Sequence, residues 1–323
     1  MYTTLIEPAE LAAPLSRHAA GHSDWVVVDC RFELARPDWG ASAYAAGHIP
    51  GALYAHLDRD LSGPMTPTSG RHPLPNVERL AETLGRWGID ERAQVVAYDQ
   101  GNGAFAARLW WLLRWVGHQN VAVLNGGFAA WQQSGLPTGA PRPGTRQPET
   151  TATAHERAAT ERPAGVSEGI PSGEIPSGDS PRVFTPRPES VPVVSTAELE
   201  RMVAAGELTC GRQVLVDARG ADRFAGENET IDPVAGHIPG ASNHAFLRNV
   251  DARGRFLPVS ELKERWLATL GDAGAARTIA MCGSGVTACH NLLALEVAGL
   301  TGARLYAGSW SEWIRGGARP VAR

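Results

Sequence analysis

Residues 278–288 read TIAMCGSGVTA, and Cys282 stands where an apolar run must stop and the chain must turn. Gly283 and Gly285 follow it, and helical sequence begins by Ala288. A loop of successive backbone N–H groups at a helix N-terminus is a concave cradle for negative charge. It stabilises a thiolate and makes the cysteine a nucleophile.

Three other readings compete. A cysteine phosphatase needs an arginine six residues after the cysteine to clamp phosphate, and position 288 is alanine. The run GNGAFA at 101–106 matches a loose dinucleotide fingerprint, but the next strand ends at Asn125, where a ribose-binding acid is wanted. A buried core thiol is the default for a lone cysteine. That reading suits Cys30, Cys210 and Cys289 better than Cys282. No cofactor and no metal are expected.

The chain around the cysteine repeats an earlier stretch. VVVDCR at 26–31 returns as VLVDAR at 214–219, AGHIPGA at 46–52 returns unchanged at 235–241, and VAVLNGGFAAW at 121–131 returns as ARLYAGSWSEW at 303–313. Asp29 and Asp217 are 188 positions apart, Trp131 and Trp313 are 182 apart, and the order of the motifs is kept. The chain is a duplicated domain. Within each copy, β-branched runs at 26–29, 95–98 and 121–124 alternate with apolar helical stretches from Phe105 and Ala288. That alternation predicts an α/β fold with a mostly parallel sheet flanked by helices in each copy. Aligned on the repeat, Asp99 of the first copy falls where Cys282 stands. The first domain is therefore expected at 1–138 and without catalytic role, the second and catalytic one at 191–323. Residues 139–190 are rich in Pro, Gly, Ser, Thr and Glu, the composition of a disordered linker.

Composition narrows the partners. The 323 residues suffice for two domains with their own cores, and a net charge of −4 without basic stripes argues against nucleic acid or a membrane surface. No apolar run reaches the roughly 20 residues of a membrane span, and the start MYTTLIEPAELAAPL lacks the marks of a signal peptide. With four cysteines and no C-x-x-C pair, the chain reads as cytoplasmic.

The two GHIPGA runs, the loop CGSGVTA at 282–288, Asp99 in place of a cysteine and YAGSWSEW at 306–313 together resemble the two-domain rhodanese-like sulfurtransferases. The resemblance covers about 4–131 and 193–313. It implies two tandem rhodanese-like domains with the site between them, and sulfane-sulfur transfer through a cysteine persulfide. Cys282 would attack the donor's outer sulfur, and the N–H groups of Gly283, Ser284, Gly285, Val286 and Thr287 would hold the persulfide until an acceptor takes it. Thr287 is also placed to cap the following helix. The acceptor would be a small thiol, cyanide or a thioredoxin-like protein.

The donor is a small molecule, 3-mercaptopyruvate or thiosulfate. The loop CGSGVT is uncharged and is similar to that of the 3-mercaptopyruvate enzymes. Ser284 resembles their catalytic serine and His48 their histidine, with Asp38 a loose match for the aspartate. His237 repeats His48 in the second copy, so a role for both in anchoring a turn stays open. Arg223 matches the family's carboxylate-binding arginine, and its guanidinium suits a bidentate grip. Arg219, four residues earlier, either lines the same pocket or forms a structural ion pair. A second substrate arginine of that subgroup is replaced by Asp232, which keeps thiosulfate open as the donor. A persulfide carrier that turns over no small donor is the remaining alternative.

Overall fold

The computed structural model describes residues 1–17, 24–139, 182–188 and 191–323. The first copy runs β1 (Leu5–Ile6), α1 (Pro8–Arg17), β2 (Trp25–Asp29), α2 (Trp39–Ala46), β3 (Leu53–Tyr54), α3 (Leu57–Asp60), α4 (Val77–Arg86), β4 (Gln94–Tyr98), α5 (Ala106–Trp115), β5 (Val121–Leu124) and α6 (Gly127–Gln133). The second runs α7 (Thr196–Ala204), β6 (Val214–Asp217), α8 (Ala221–Ala225), β7 (Ser242–Asn243), α9 (Val259–Leu270), β8 (Thr278–Met281), α10 (Thr287–Val297), β9 (Arg304–Leu305) and α11 (Ser309–Trp313).

The strands form two wholly parallel sheets, ordered β1-β5-β4-β2-β3 and β7-β6-β8-β9. In the second sheet the counterpart of β1 shrinks to one bridge, Val193 with Leu305. Every residue of β4, β5 and β8 is buried, as continuous apolar runs between two helical layers require. The expected α/β architecture of two tandem domains is what forms.

α5 is buried on nearly all sides, Arg108 included, because it packs against its own sheet on one side and α10 of the other domain on the other. One apolar cluster therefore runs through both copies, joining Leu109 and Leu112 to Leu292 and Leu295. A shared core fixes the loops that end β4 and β8 relative to the opposite domain.

The segment expected as a linker lies mostly outside the described residues. Its described part, 182–188, packs on the first domain. The Arg182 and Arg187 N–H groups donate to the carbonyls of Gly85 (3.1 Å) and Val116 (2.8 Å), and Phe184 is buried. Among the described residues no helix is long and apolar enough to cross a membrane.

Candidate active site

The loop joining β8 to α10 is pinned at each step. The Cys282 N–H donates to Ser309 Oγ at 3.0 Å, and the carbonyls of Cys282 and Gly283 each accept an N–H at 2.9 Å, from Trp310 and Ser311. Gly285 has φ 80°, and a Cβ there would run into the Ala307 carbonyl, so only glycine makes this turn. Its N–H donates to Cys282 Sγ at 3.1 Å. The thiol is 2% exposed. Thr287 opens α10, but the cap position is Val286 and no side chain caps it, so Thr287 does not play the capping part its sequence position suggests.

The first copy shows what this loop can hold. Asp99 takes the place of Cys282, and its carboxylate accepts the N–H groups of Gly101 (3.0 Å), Gly103 (3.0 Å), Phe105 (2.9 Å) and Ala106 (3.2 Å). Gly103 has the φ of Gly285, 80°. The same turn thus cradles a carboxylate in one domain and presents an N–H to a sulfur in the other.

Three successive residues of the cysteine loop each meet the first domain. Beside Gly283 lies the Arg71 guanidinium, with Nη2 2.9 Å from where a Cβ on Gly283 would stand. Ser284 Oγ is 2.7 Å from His72 Nδ1, and His72 Nε2 is 3.2 Å from Asp58 Oδ1. Gly285 offers its carbonyl to Arg108 Nη1 at 3.2 Å, and Arg108 also donates to the carbonyls of Leu61, His72 and Pro73. Burial holds the His72 ring below the ordinary imidazole range, outweighing the hydrogen bond and charge of Asp58. In turn the His72 hydrogen bond holds the Asp58 carboxyl below its ordinary range. A neutral ring whose Nε2–H faces a carboxylate leaves Nδ1 to accept the Ser284 hydroxyl proton.

This corrects the expected relay. His48 is not the partner of Ser284: its Nδ1 is 2.9 Å from the Tyr44 carbonyl, and its ring stacks on Tyr44 beside Gly139. His237 repeats that arrangement on Phe224. Both histidines anchor turns. Asp38 is an exposed residue at the start of α2, and Asp58 takes the carboxylate place.

Arg219 resolves to the structural alternative. Its side chain is 1% exposed, paired with Asp217 and Glu229, bonded to the Gly236 carbonyl and laid over Trp310. Arg31 does the same in the first copy with Asp29, the Gly47 carbonyl and Phe128. A guanidinium so committed to the fold has no capacity for a substrate. Arg223 does stand at the loop, with both terminal nitrogens 3.7 Å from the Gly283 Cβ position. It grips Glu229 bidentately at 2.9–3.2 Å and reaches Asp232 at 3.1 Å. Asp232 also pairs with Arg71. Burial raises the Asp232 carboxyl in spite of both guanidiniums.

His72, Arg71, Asp58, Arg108 and Ser309 escaped the reading of the sequence. A signal existed: GRHPLP at 70–75 and GRFLP at 254–258 are the same element in the two copies, with His72 against Phe256. Phe256 lies on Gly103 of the first loop just as His72 lies on Ser284 of the second. Each domain completes the other's loop, and of the two matching elements only GRHPLP carries an ionisable ring.

The chain matches the model of the Rhodanese-like domain over residues 7–134 and 195–315. It is 43% identical over 320 residues to the "Probable 3-mercaptopyruvate sulfurtransferase" of Pseudomonas aeruginosa, covering 98% of this chain and 97% of that one. It is 30% identical to the thiosulfate sulfurtransferase of Gallus gallus over 83% of this chain and 78% of that one. The solved 3-mercaptopyruvate sulfurtransferase from Leishmania major superposes with a TM-score of 0.74 at 28% identity, over 98% of this chain and 75% of that one. The turn that holds Asp99 in one domain and Cys282 in the other thus sits in a chain matched from end to end by that fold, and the protein belongs to the rhodanese-like family as a two-domain sulfurtransferase.

Proposed function

We propose that the enzyme moves a sulfane sulfur from 3-mercaptopyruvate to a thiophilic acceptor through a persulfide on Cys282. The observation that carries this reading is the line Asp58, His72, Ser284 ending on the loop that holds Cys282. Thiosulfate releases sulfite, a stable anion that needs no proton. Mercaptopyruvate releases a carbon-centred pair, the enolate of pyruvate, which does.

Cys282 Sγ attacks the donor sulfur as a thiolate. The S–S bond forms, the C–S bond breaks, and its electron pair becomes the enolate, which is protonated to pyruvate. The sulfur is oxidised to the sulfane level and the carbon reduced, so no external redox partner is needed. The donor's own S–H proton balances the step: it passes through Ser284 Oγ to His72 Nδ1 as the persulfide anion forms and returns by the same route to the enolate carbon. The Gly285 N–H and the first turn of α10 stabilise the persulfide anion. Arg223 binds the donor's carboxylate. The acceptor, a small thiol, cyanide or a thioredoxin-like protein, then attacks the outer sulfur and frees Cys282. The four free thiols fit a reducing compartment, and we place the enzyme in the cytoplasm.

One observation favours thiosulfate, namely the two guanidiniums, Arg71 and Arg223, that flank Gly283 of an otherwise uncharged loop. Steady-state rates with both donors on one preparation decide between them. A kcat/KM ten times or more in favour of thiosulfate overturns the proposal.

A further inference from the structure

Two side chains tie the His72 segment to the cysteine loop, one from each domain. Arg108, from the first, donates to the carbonyls of His72 and Gly285. Ser311, from the second, holds the residue before His72 and the residue before Ser284. Its N–H donates to the Gly283 carbonyl at 2.9 Å, and its Oγ accepts the Arg71 N–H at 3.0 Å. The hydroxyl proton is turned back on the Gly308 carbonyl at 3.5 Å, which leaves the oxygen lone pairs to Arg71. In the first copy Ala129 stands at this position, and its N–H donates to the Gln100 carbonyl at 3.0 Å, the same loop contact without a hydroxyl. There the crossing segment is held through Phe256, whose N–H goes to Asn125 Oδ1 at 2.8 Å. The backbone half of the clamp thus comes with the fold, and the hydroxyl half belongs to the copy that carries the cysteine.

We propose that Ser311 is a positioning residue for the relay, setting the contact of Ser284 with His72 across the domain boundary. This role rests on the relay assigned above. Ser311 is 3% exposed, so water does not stand in for its hydroxyl. Two segments from different domains, each bonded to the same residue, cannot slide past one another without breaking one of those bonds. Gly70 lets the segment lie this close. A Cβ on it would stand 2.6 Å from the Gly308 carbonyl oxygen and 3.1 Å from Ser311 Oγ, and its N–H donates to Glu312 at 3.2 Å. Loss of the hydroxyl orphans the Arg71 N–H and frees residues 70–72 to move off α11. The 2.7 Å contact between Ser284 and His72 then lengthens, and proton transfer is the step that feels it.

The test is a double-substitution cycle in the full chain, read as kcat and KM with 3-mercaptopyruvate, with the fold of each variant checked by its denaturation midpoint. Ser311→Ala should lower kcat about 10- to 100-fold with little change in KM. Ser311→Thr, which keeps the hydroxyl, should retain most of the parental kcat. Gly70→Ala, which leaves Ser311 in place and lifts the segment from α11, should imitate Ser311→Ala. In a His72→Ala background the further loss from Ser311→Ala should be less than about twofold, because the contact that Ser311 sets is already gone. Equal losses from Ser311→Ala with and without His72 would mean a merely structural role and overturn the proposal while the relay stands. Parental kcat in Ser311→Ala also overturns it. Parental kcat in His72→Ala would overturn the relay, and the role of Ser311 with it. Preference for thiosulfate in turnover, with the cycle on 3-mercaptopyruvate still non-additive, would overturn the donor assignment and leave the role of Ser311 standing.

Discussion

Ser284 and His72 meet across the domain boundary, Oγ to Nδ1 at 2.7 Å, although 212 positions separate them in the chain. The contact joins the loop that carries the reactive cysteine to the domain that has none. The domain holding Asp99 in this way brings His72, Asp58, Arg71 and Arg108 to a loop that begins in its partner domain.

The nucleophile can be isolated by substitution. Cys282→Ser should abolish transfer with the fold intact, and intact mass after donor treatment should show one added sulfur on the parent alone. Cys30, Cys210 and Cys289 as serine should retain transfer. Burial pushes the Cys30 thiol well up and that of Cys289 to about 12, so neither ionises at neutral pH. Sulfur recovered on any peptide other than that of Cys282 would reject the mechanism.

The relay has a signed pH dependence. His72 must be neutral to accept from Ser284, and burial already favours that form, so kcat with 3-mercaptopyruvate should hold as pH falls to 6.5 and decline below it. Asp58 raises the pKa of His72, and Asp58→Asn should move this acid limb to still lower pH while reducing kcat. His72→Ala should lower kcat by about 10²- to 10⁴-fold, the range of positioned acid–base catalysis. An acid limb that stays in place in Asp58→Asn, measured as a kcat profile, would separate His72 from the chemistry.

Ser309 is the one non-glycine residue with positive φ among the described residues, at 53°, and Gly127 fills the equivalent place in the first copy at 57°. Its hydroxyl accepts the Cys282 N–H and donates to the Tyr306 carbonyl at 3.0 Å, which explains why serine is kept in a strained conformation. Ser309→Ala should destabilise by about 1–3 kcal/mol through the orphaned N–H. Ser309→Gly should destabilise by about 1 kcal/mol less, since it relieves the backbone. Activity should fall in both. Equal denaturation midpoints for the two variants would show that the backbone strain is not real.

Arg108 is a fully buried cation on backbone carbonyls of both domains. Arg108→Met should cost about 2–4 kcal/mol, because several carbonyls lose their donor together. As a positioning residue it should lower kcat more than it raises KM, and Arg108→Lys should rescue stability in part without restoring kcat. A loss confined to KM would place Arg108 in donor binding instead.

Phe184 tests whether 182–188 belongs to the first domain. It is 7% exposed, and Phe184→Ala should destabilise by about 3 kcal/mol, seen as an earlier chemical-denaturation transition. No shift would mean that the segment is draped rather than packed.

The local features of this chain were legible because they are written in neighbouring residues. Buried β-branched runs specify parallel strands, Gly285 specifies the turn, and a cysteine between strand and helix specifies a sulfur that accepts an N–H of its own loop. The repeat displayed the duplication and the exchange of Asp99 for Cys282, and Arg223 was placed at the loop from its motif alone. His48 misled because GHIPGA returns in both copies for a structural reason, the ring closing on a carbonyl of the preceding helix, Tyr44 in one copy and Phe224 in the other. The same holds for Arg219, whose carboxylate partner lies two residues away and claims it before any substrate could. What only the tertiary structure decided is the company of the cysteine. Packing α5 against α10 carries GRHPLP of one domain onto CGSG of the other, and distance along the chain says nothing about that meeting. The positions of His72, Arg71 and Arg108 at the cysteine loop are therefore properties of how two copies dock, since an apolar interface sets them to within a hydrogen bond.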